Sequence, residues 1–266
     1  MVNAPRSPRG GNGGMITKKS VRLSSTSARW SVRCAVFALA LMIVAVLLHR
    51  FGQIETGPFL SVLSLVALLA ALGLILSVTG LIGLWLHGYA GGRRASAALA
   101  LCLVILSPFG FALWKAATLP RIADISTDLA DPPQFAGSAV SGLKPDMQSA
   151  AYPDATGRRY SIAGENLLAL VERLVAESGW RDTDRRGSLG GTGEMLIEAE
   201  ATTLIMGFKD HIVIRVTDEG ETAYVDMRSK SGFGGYDMGA NAARIVTFMQ
   251  ALDRLAALGP GAQTAK

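Results

Sequence analysis

The 266-residue chain has two cysteines, three histidines and a single acidic residue among its first 115 positions. Two cysteines cannot make a disulfide framework, nor a zinc site alone. Three histidines leave little room for a His-rich metal centre. Charge of either sign is scarce: 18% of the chain, against about a quarter in soluble globular proteins, while 50% is hydrophobic. Part of the chain is therefore expected to lie in lipid. The shortage of acid is local. Residues 1–115 hold eleven Lys or Arg against Glu55 alone, whereas residues 116–266 hold fifteen against twenty Asp or Glu. The basic character belongs to the first part. The acidic second part argues against a nucleic-acid partner, since such a domain needs a basic face to neutralise phosphates.

What the first part has is apolar length. Residues 1–29 are rich in Gly, Ser, Pro, Asn, Lys and Arg, with no acid and few large apolar groups, and are expected to be a disordered basic tail. Three runs follow that are long enough for a bilayer, which takes about 20 residues: Trp30–Leu48, Phe59–Leu86 and Ala95–Trp114. The first shows no persuasive cleavage site and reads as a retained signal-anchor. The second contains no charged residue, and Pro108 interrupts the third. Trp30, Trp85 and Trp114 stand at span ends, as interfacial aromatics do. Residues 30–115 thus read as a three-helix membrane anchor. No ionisable residue sits at mid-span, where a proton or substrate path would need one.

Lys and Arg near the spans set the direction. Seven lie up to Arg33, then Arg50 alone, then Arg93 and Arg94. This expects a cytoplasmic N-terminus, a multi-pass inner-membrane protein, and residues 116–266 on the periplasmic side. Small residues at helical spacing, Ala67/Ala71, Gly73/Ser77 and Thr79/Gly83, suit close helix packing. Packing within the chain is the preferred use; a homo-oligomer through the same faces is the alternative.

The second part reads as an α+β domain over residues 116–258, with 259–266 as a tail. Five prolines between 120 and 153 make residues 116–158 look irregular. Ala163–Gly179 is helical, with Leu167, Leu168, Val171, Leu174 and Val175 on one face and Gly179 as its stop. Arg181–Gly193 is charged and then glycine-rich, and Gly187–Gly193 reads as a flexible hairpin or linker, without the Lys-Ser/Thr ending of a phosphate loop. Three strands follow: Glu194–Phe208, with a phase shift near Thr202-Thr203; His211–Asp218; and Thr222–Ser229. Short links at Lys209-Asp210 and Glu219–Glu221 make the sheet antiparallel. Asp237–Leu258 closes as a helix with Asp237 at its N-cap. The expected fold is a two-layer antiparallel sheet with two packing helices, preceded by three transmembrane helices.

Three segments in order carry a family resemblance. Asp124-Ile125-Ser126-Thr127-Asp128 with Asp131-Pro132-Pro133-Gln134-Phe135 is the first. Phe208-Lys209-Asp210-His211 with Ile214-Arg215 is the second. Asp226-Met227-Arg228-Ser229, Ser231, Gly235, Asp237, Gly239, Asn241 and Arg244-Ile245 form the third. Together they resemble the bacterial and plastid domain of unknown function family 1499, over roughly residues 119–257. The chain departs from that pattern at His211, where an acid is common, and at Gly232, where Arg is. The resemblance implies a fold domain and no reaction.

The polar candidates are Arg228, Asp237, Asn241, Arg244, Asp226, Arg215 and Asp210. Arg228 and Arg244 near a helix N-terminus would suit an anionic ligand. The preferred reading is a structural network in which Arg228 and Arg244 hold the last helix to the sheet through Asp226 and Asp237, and Asn241 ties down the Gly232–Gly235 loop. Asp124, Asp128 and Asp131 are weak candidates for a hard cation; their spacing fits no EF-hand and suits turn capping. His211 beside Asp210 could be a general base, but no nucleophile in a recognisable setting accompanies it. No cofactor is implied. The leading functional expectation is a tethered domain that binds a partner or envelope component without catalysis. The alternatives are an envelope hydrolase using Asp and Arg, and a lipid or small-ligand carrier with its ligand between sheet and helices.

Overall fold

The computed structural model describes residues 25–87, 90–137, 142–190 and 193–258. Its first three elements are α1 (Thr26–Arg50), α2 (Thr56–His87) and α3 (Gly92–Thr118), each long and apolar enough to cross a membrane. The Ser25 hydroxyl accepts from the Ala28 N–H at 3.2 Å and so caps α1, which makes Thr26–Arg29 helical rather than part of the tail. The rest of the expected tails, residues 1–24 and 259–266, lies outside the described residues. The helices meet through small side chains: Ala35, Ala38, Ala70, Ala98 and Cys102 are buried. A Cβ at Gly73 would come within 2.8 Å of Cys102 Sγ, and one at Gly80 within 3.2 Å of the Ala28 nitrogen. The Gly73/Ser77 face is thus spent on neighbours in the same chain.

The remaining elements are β1 (Asp124–Ser126), α4 (Pro145–Ala151), β2 (Arg158–Tyr160), α5 (Gly164–Glu177), β3 (Arg181–Gly187), β4 (Glu194–Thr202), β5 (Lys209–Asp218), β6 (Ala223–Ser231) and α6 (Ala240–Ala257). They build one antiparallel sheet in the order β1-β6-β5-β4-β3, with β2 sharing the outer edge of β6 with β1. The domain is α+β, but its sheet has six strands where hydropathy alone marked three. The three additions had no apolar signature to show. β1 and β2 are three residues each, and β3, Arg-Asp-Thr-Asp-Arg-Arg-Gly, is a polar edge strand held by backbone pairing to β4. The charged stretch Arg181–Gly187, to which the sequence assigned no element, is strand β3; of the expected hairpin or linker Gly187–Gly193, residues 191 and 192 lie outside the described residues, and the Ser188 N–H donates to the Glu194 carbonyl at 3.0 Å.

Other boundaries shift for local reasons. β4 stops at Thr202 instead of running to Phe208, and residues 203–208 form the β4–β5 turn, closed by Thr203 N–H to the Phe208 carbonyl at 2.8 Å. The hydropathy phase shift at Thr202-Thr203 is this strand end. Lys209-Asp210, expected as the link, begins β5. The Glu219–Glu221 turn and the Gly179 stop, at φ 66°, fall where the sequence put them. β1 is an edge strand, and the side chain of Gln148 from α4 closes it. Its amide accepts from the Ser126 N–H at 3.1 Å and donates to the Ser126 carbonyl at 2.6 Å, as a neighbouring strand would.

Helices α5 and α6 cover one face. Ile197, Ile212, Ile214, Val216, Val225 and Met227 from the sheet meet Leu167, Val171, Ile245, Met249 and Leu252, all buried. That interlayer space, which a ligand carrier would keep open, is packed with side chains.

The domain also rests on the bundle of the three N-terminal helices. The Met206 carbonyl takes a hydrogen bond from His49 Nδ1 at the end of α1, and His49 Nε2 lies 3.0 Å from Thr56 Oγ1. Phe208 packs on His49 and Phe59. At the end of α3, the Tyr236 hydroxyl donates to the Lys115 carbonyl at 2.6 Å, and Lys115 Nζ donates to the Met238 carbonyl at 3.3 Å.

Candidate functional site

Successive strand residues point to opposite faces. If the helices take Ile212, Ile214, Val216, Val225 and Met227, the far face receives His211, Val213, Arg215, Asp226 and Arg228, as the register of β5 on β6 shows. Asp124 on β1 shares that face, diagonal to Arg228. Helices α5 and α6 lie on the other side. The chain leaving β1 crosses this far face as residues 127–137.

Each arginine on this face is matched by carboxylates. Arg228 grips Asp124 in a two-point fork, Nε to Oδ1 and Nη2 to Oδ2, both at 2.9 Å, and Nη1 donates to the Pro133 carbonyl at 3.2 Å. The two side chains are only 3% and 2% exposed. The Phe135 ring lies against the Arg228 guanidinium, 5.1 Å from its centroid. Arg215 gathers three carboxylates: Asp128 at 2.8 Å, Asp131 at 2.9 Å and Asp226 at 3.0 Å. Thr127 Oγ1 donates to the second oxygen of Asp226 at 2.8 Å. At the outer edge Arg186 holds Glu198 and the Gln134 carbonyl, and the Ala136 N–H donates to Glu198.

The electrostatics follow from burial and pairing. Burial pushes the Asp226 carboxyl above its ordinary value, against the pull of Arg215 and Thr127. Burial also acts on Asp128, but the N–H groups of Asp131 and Ala130 and the Arg215 guanidinium outweigh it, so that carboxyl sits below its ordinary value. On Arg215 burial opposes the charge, and Asp226 and Asp131 overcome it and hold the guanidinium as a cation.

Arg244 belongs to the helix side. Its Nη2 meets Asp210 Oδ2, and Nη1 donates to Ser229 Oγ at 2.7 Å and Asn241 Oδ1 at 2.6 Å. Arg244 therefore does hold α6 to the sheet, through Asp210 rather than through Asp226 or Asp237. Asn241 donates to the Ala123 carbonyl and to Ser231 Oγ, both at 3.0 Å, so it ties α6 to β6 and to the lead-in of β1 rather than to the Gly232–Gly235 loop. Asp237 is not the N-cap by position, since that residue is Gly239 at φ 80°. Its carboxylate nonetheless caps the helix from two residues before: Oδ1 accepts from the Gly239 N–H at 2.9 Å and Oδ2 from the Asn241 N–H at 2.7 Å.

The seven polar candidates thus fall into two groups on opposite faces of one sheet. Arg228, Arg215 and Asp226 form one; Arg244, Asp210, Asn241 and Asp237 form the other. Arg228 pairs with Asp124 instead of Asp226 or Asp237, so it binds β6 to β1 and the crossing segment, not to α6. The three carboxylates weighed for a cation go to two different arginines, and no group of three potential ligands is assembled among the described residues. His211 faces Phe135, ring centroids 6.4 Å apart. Sequence reasoning missed Asp124 as the Arg228 partner, Gln148 and His49. The diagonal that joins Asp124 to Arg228 exists only once β1 has paired with β6.

Where domain meets bundle, Thr56 and Leu60 of α2, Thr203, Phe208 and Phe233 border a cavity of 360 Å³. Asp210 and Asp237 reach its wall, but their carboxylates are held by Arg244 and by the α6 N-terminus.

Neither a curated protein nor a solved structure matches the chain. Residues 124–252 match the family described as protein of unknown function, DUF1499, and this span contains both polar groups. The match runs from β1 to the last turns of α6, so that it is the chain's C-terminal domain that is similar to this family.

Proposed function

We propose that this is a multi-pass inner-membrane protein with a cytoplasmic N-terminus, whose C-terminal domain stands on the periplasmic side and binds a partner protein or another envelope component without catalysis. The observation that carries the reading is the condition of the charged groups. Arg228, Arg215 and Arg244 are each paired with at least one carboxylate of the chain itself, as a scaffold's are, and only the Nε of Arg215 is buried without a hydrogen-bond partner among these three guanidinium groups. A hydrolytic site needs an acid or base free to meet a substrate. Asp226, the carboxyl that burial raises, is covered by Arg215 and Thr127. The direction rests on the seven, one, two sequence of Lys and Arg around the spans. The cavity at the junction, bordered by span residues, is where an envelope component would be met.

The test places a photoreactive residue at Phe233, which is 52% exposed and borders the cavity, in a chain with a periplasm-dependent reporter after Lys266. An active reporter and a discrete crosslinked adduct are expected in intact cells. An inactive reporter overturns the orientation. An active reporter with no adduct overturns binding at this end. Hydrolysis of chromogenic ester or phosphoester substrates that disappears in Asp131→Asn would replace the reading with the hydrolase.

A further inference from the structure

The Thr203–Phe208 turn has an unusual division of its apolar residues. Phe208 and Met206 point into the bundle, packed with Ala45, Phe59 and Leu63. Leu204 and Ile205, at the tip, are 85% and 70% exposed. Two adjacent large aliphatic side chains left in the open on a turn are costly in water, about 25 cal/mol for each Å² of apolar surface. Polar residues would serve a solvated turn better.

The depth of the turn decides what surrounds the tip. Leu63 lies seven residues into α2 from Thr56, about 10 Å along the axis, and Ala45 lies five residues before the end of α1, about 7 Å. Met206 and Phe208 pack on the apolar cluster that those residues form with Phe59, at the end of the apolar length of the helices. Two features fix the turn there. The Met206 carbonyl is bound by His49 Nδ1. Gly207, at φ 77°, lies so close to α1 that a Cβ would meet the Arg50 Cα at 2.8 Å. A larger residue at 207 would lift the whole turn. Thr203 and Phe208 border the cavity with Thr56 and Leu60, so the turn is continuous with the outward side of α2. There Leu60, Leu68, Leu72 and Ile75 are exposed as lipid-facing residues are.

We propose that the β4–β5 turn is a membrane-inserted element, with Leu204 and Ile205 immersed in the lipid leaflet nearest the C-terminal domain. The domain is then fixed to the bilayer by more than its tether: the sheet stands with the β4–β5 end in the membrane and the Glu219–Glu221 end in water. The partner is the lipid surface itself, and no particular headgroup is required. This holds for either orientation of the chain, so it stands or falls separately from the periplasmic reading.

The test uses the full chain in proteoliposomes of phosphatidylethanolamine and phosphatidylglycerol. Cys34 and Cys102 are replaced by Ala, and a nitroxide is placed at Leu204→Cys, at Ile205→Cys, or at Glu221→Cys on the opposite turn. Collisions with oxygen, which concentrates in lipid, are compared with those of a water-soluble nickel chelate. Oxygen is expected to dominate at 204 and 205 and the chelate at 221. Dominance of the chelate at 204 and 205 would put the tip in water and overturn the proposal. Low access to both reagents would put it in a protein contact, a second copy included, and overturn it equally. If the cysteine-free background does not reconstitute, a photoreactive residue at 204 in the otherwise native chain gives the second readout. A lipid adduct is expected there; a protein adduct, or none, overturns the insertion.

Discussion

The two faces of the sheet are both covered, by opposite means. On one, Ile212, Ile214, Val225 and Met227 are buried under α5 and α6 by apolar packing. On the other, eleven residues of non-helical chain, 127–137, lie over Arg228, Arg215 and Asp226 and are held by ion pairs and hydrogen bonds. The same strands supply both, one residue apart. The apolar face gains from excluding water and tolerates some repacking. The charged face gains little from pairing as such, because desolvating the ions costs about as much as their attraction returns. What it gains is specificity: an arginine with two or three fixed acceptors sets where an irregular segment must lie. Such a face is sensitive to losing one partner and tolerant of losing both.

That contrast can be broken most strongly at Arg228. Arg228→Ala leaves Asp124 buried and unpaired, which costs about 3–5 kcal/mol and should lower the thermal midpoint of the full chain in detergent by roughly 10 °C. Arg228→Lys should recover only part, since a single ammonium cannot reproduce the two-point fork. Replacing the pair together, Arg228→Met with Asp124→Leu, should recover more than Lys does. If Arg228→Ala melts like the parent, the charged face is not structural and the arginine is kept for a ligand.

A smaller effect is expected at Arg244→Gln. The amide can still reach Ser229 or Asn241, but the charged bond to Asp210 is lost, worth about 1.5–3 kcal/mol. Hydrogen exchange should quicken in α6 and the start of β5 while β3 and the far half of β4 stay protected. Uniform acceleration across the sheet would contradict the assignment of Arg244 to the helix side.

The smallest effect is in pH. Asp128 has its carboxyl below the ordinary value in the folded state. Its contribution to stability is therefore present above the unfolded value, near pH ~3.9, and is lost as pH falls through the lower folded value. Asp128→Asn should flatten the acid limb of the stability profile and leave Arg215 with Asp131 and Asp226. An acid limb equally steep in the variant would show that other carboxylates set it.

Legibility followed the strength of local signal. The three spans, the one-sided helices at 163–179 and 237–258, and the strands centred on Ile197, Ile214 and Val225 each repeat an apolar pattern over many residues, and the structure has them all. β1, β2 and β3 repeat nothing. Asp124–Ser126 is a strand because β6 offers it an edge and Gln148 closes the other side, and Arg181–Gly187 is one because β4 pairs with its backbone. At the polar groups the residues singled out from the sequence are all engaged in the fold, but with other partners than expected. Arg228 lies two residues from Asp226 along one strand and nine from Asp237, so both came first to hand.

What the sequence determined by itself is what short-range physics controls: which stretches prefer lipid, which fold as helix or strand, and which face of each strand is apolar. Those depend on spacing along the chain, and spacing is written in the sequence. The tertiary structure alone decided that Arg228 meets Asp124 across 104 positions, that residues 127–137 roof the second face, and that His49 at the end of α1 holds the turn at 203–208. Contacts of that separation have no local precursor. They are chosen by which arrangement of already formed elements pairs the buried charges and closes the edge of β1, and that choice belongs to the whole fold.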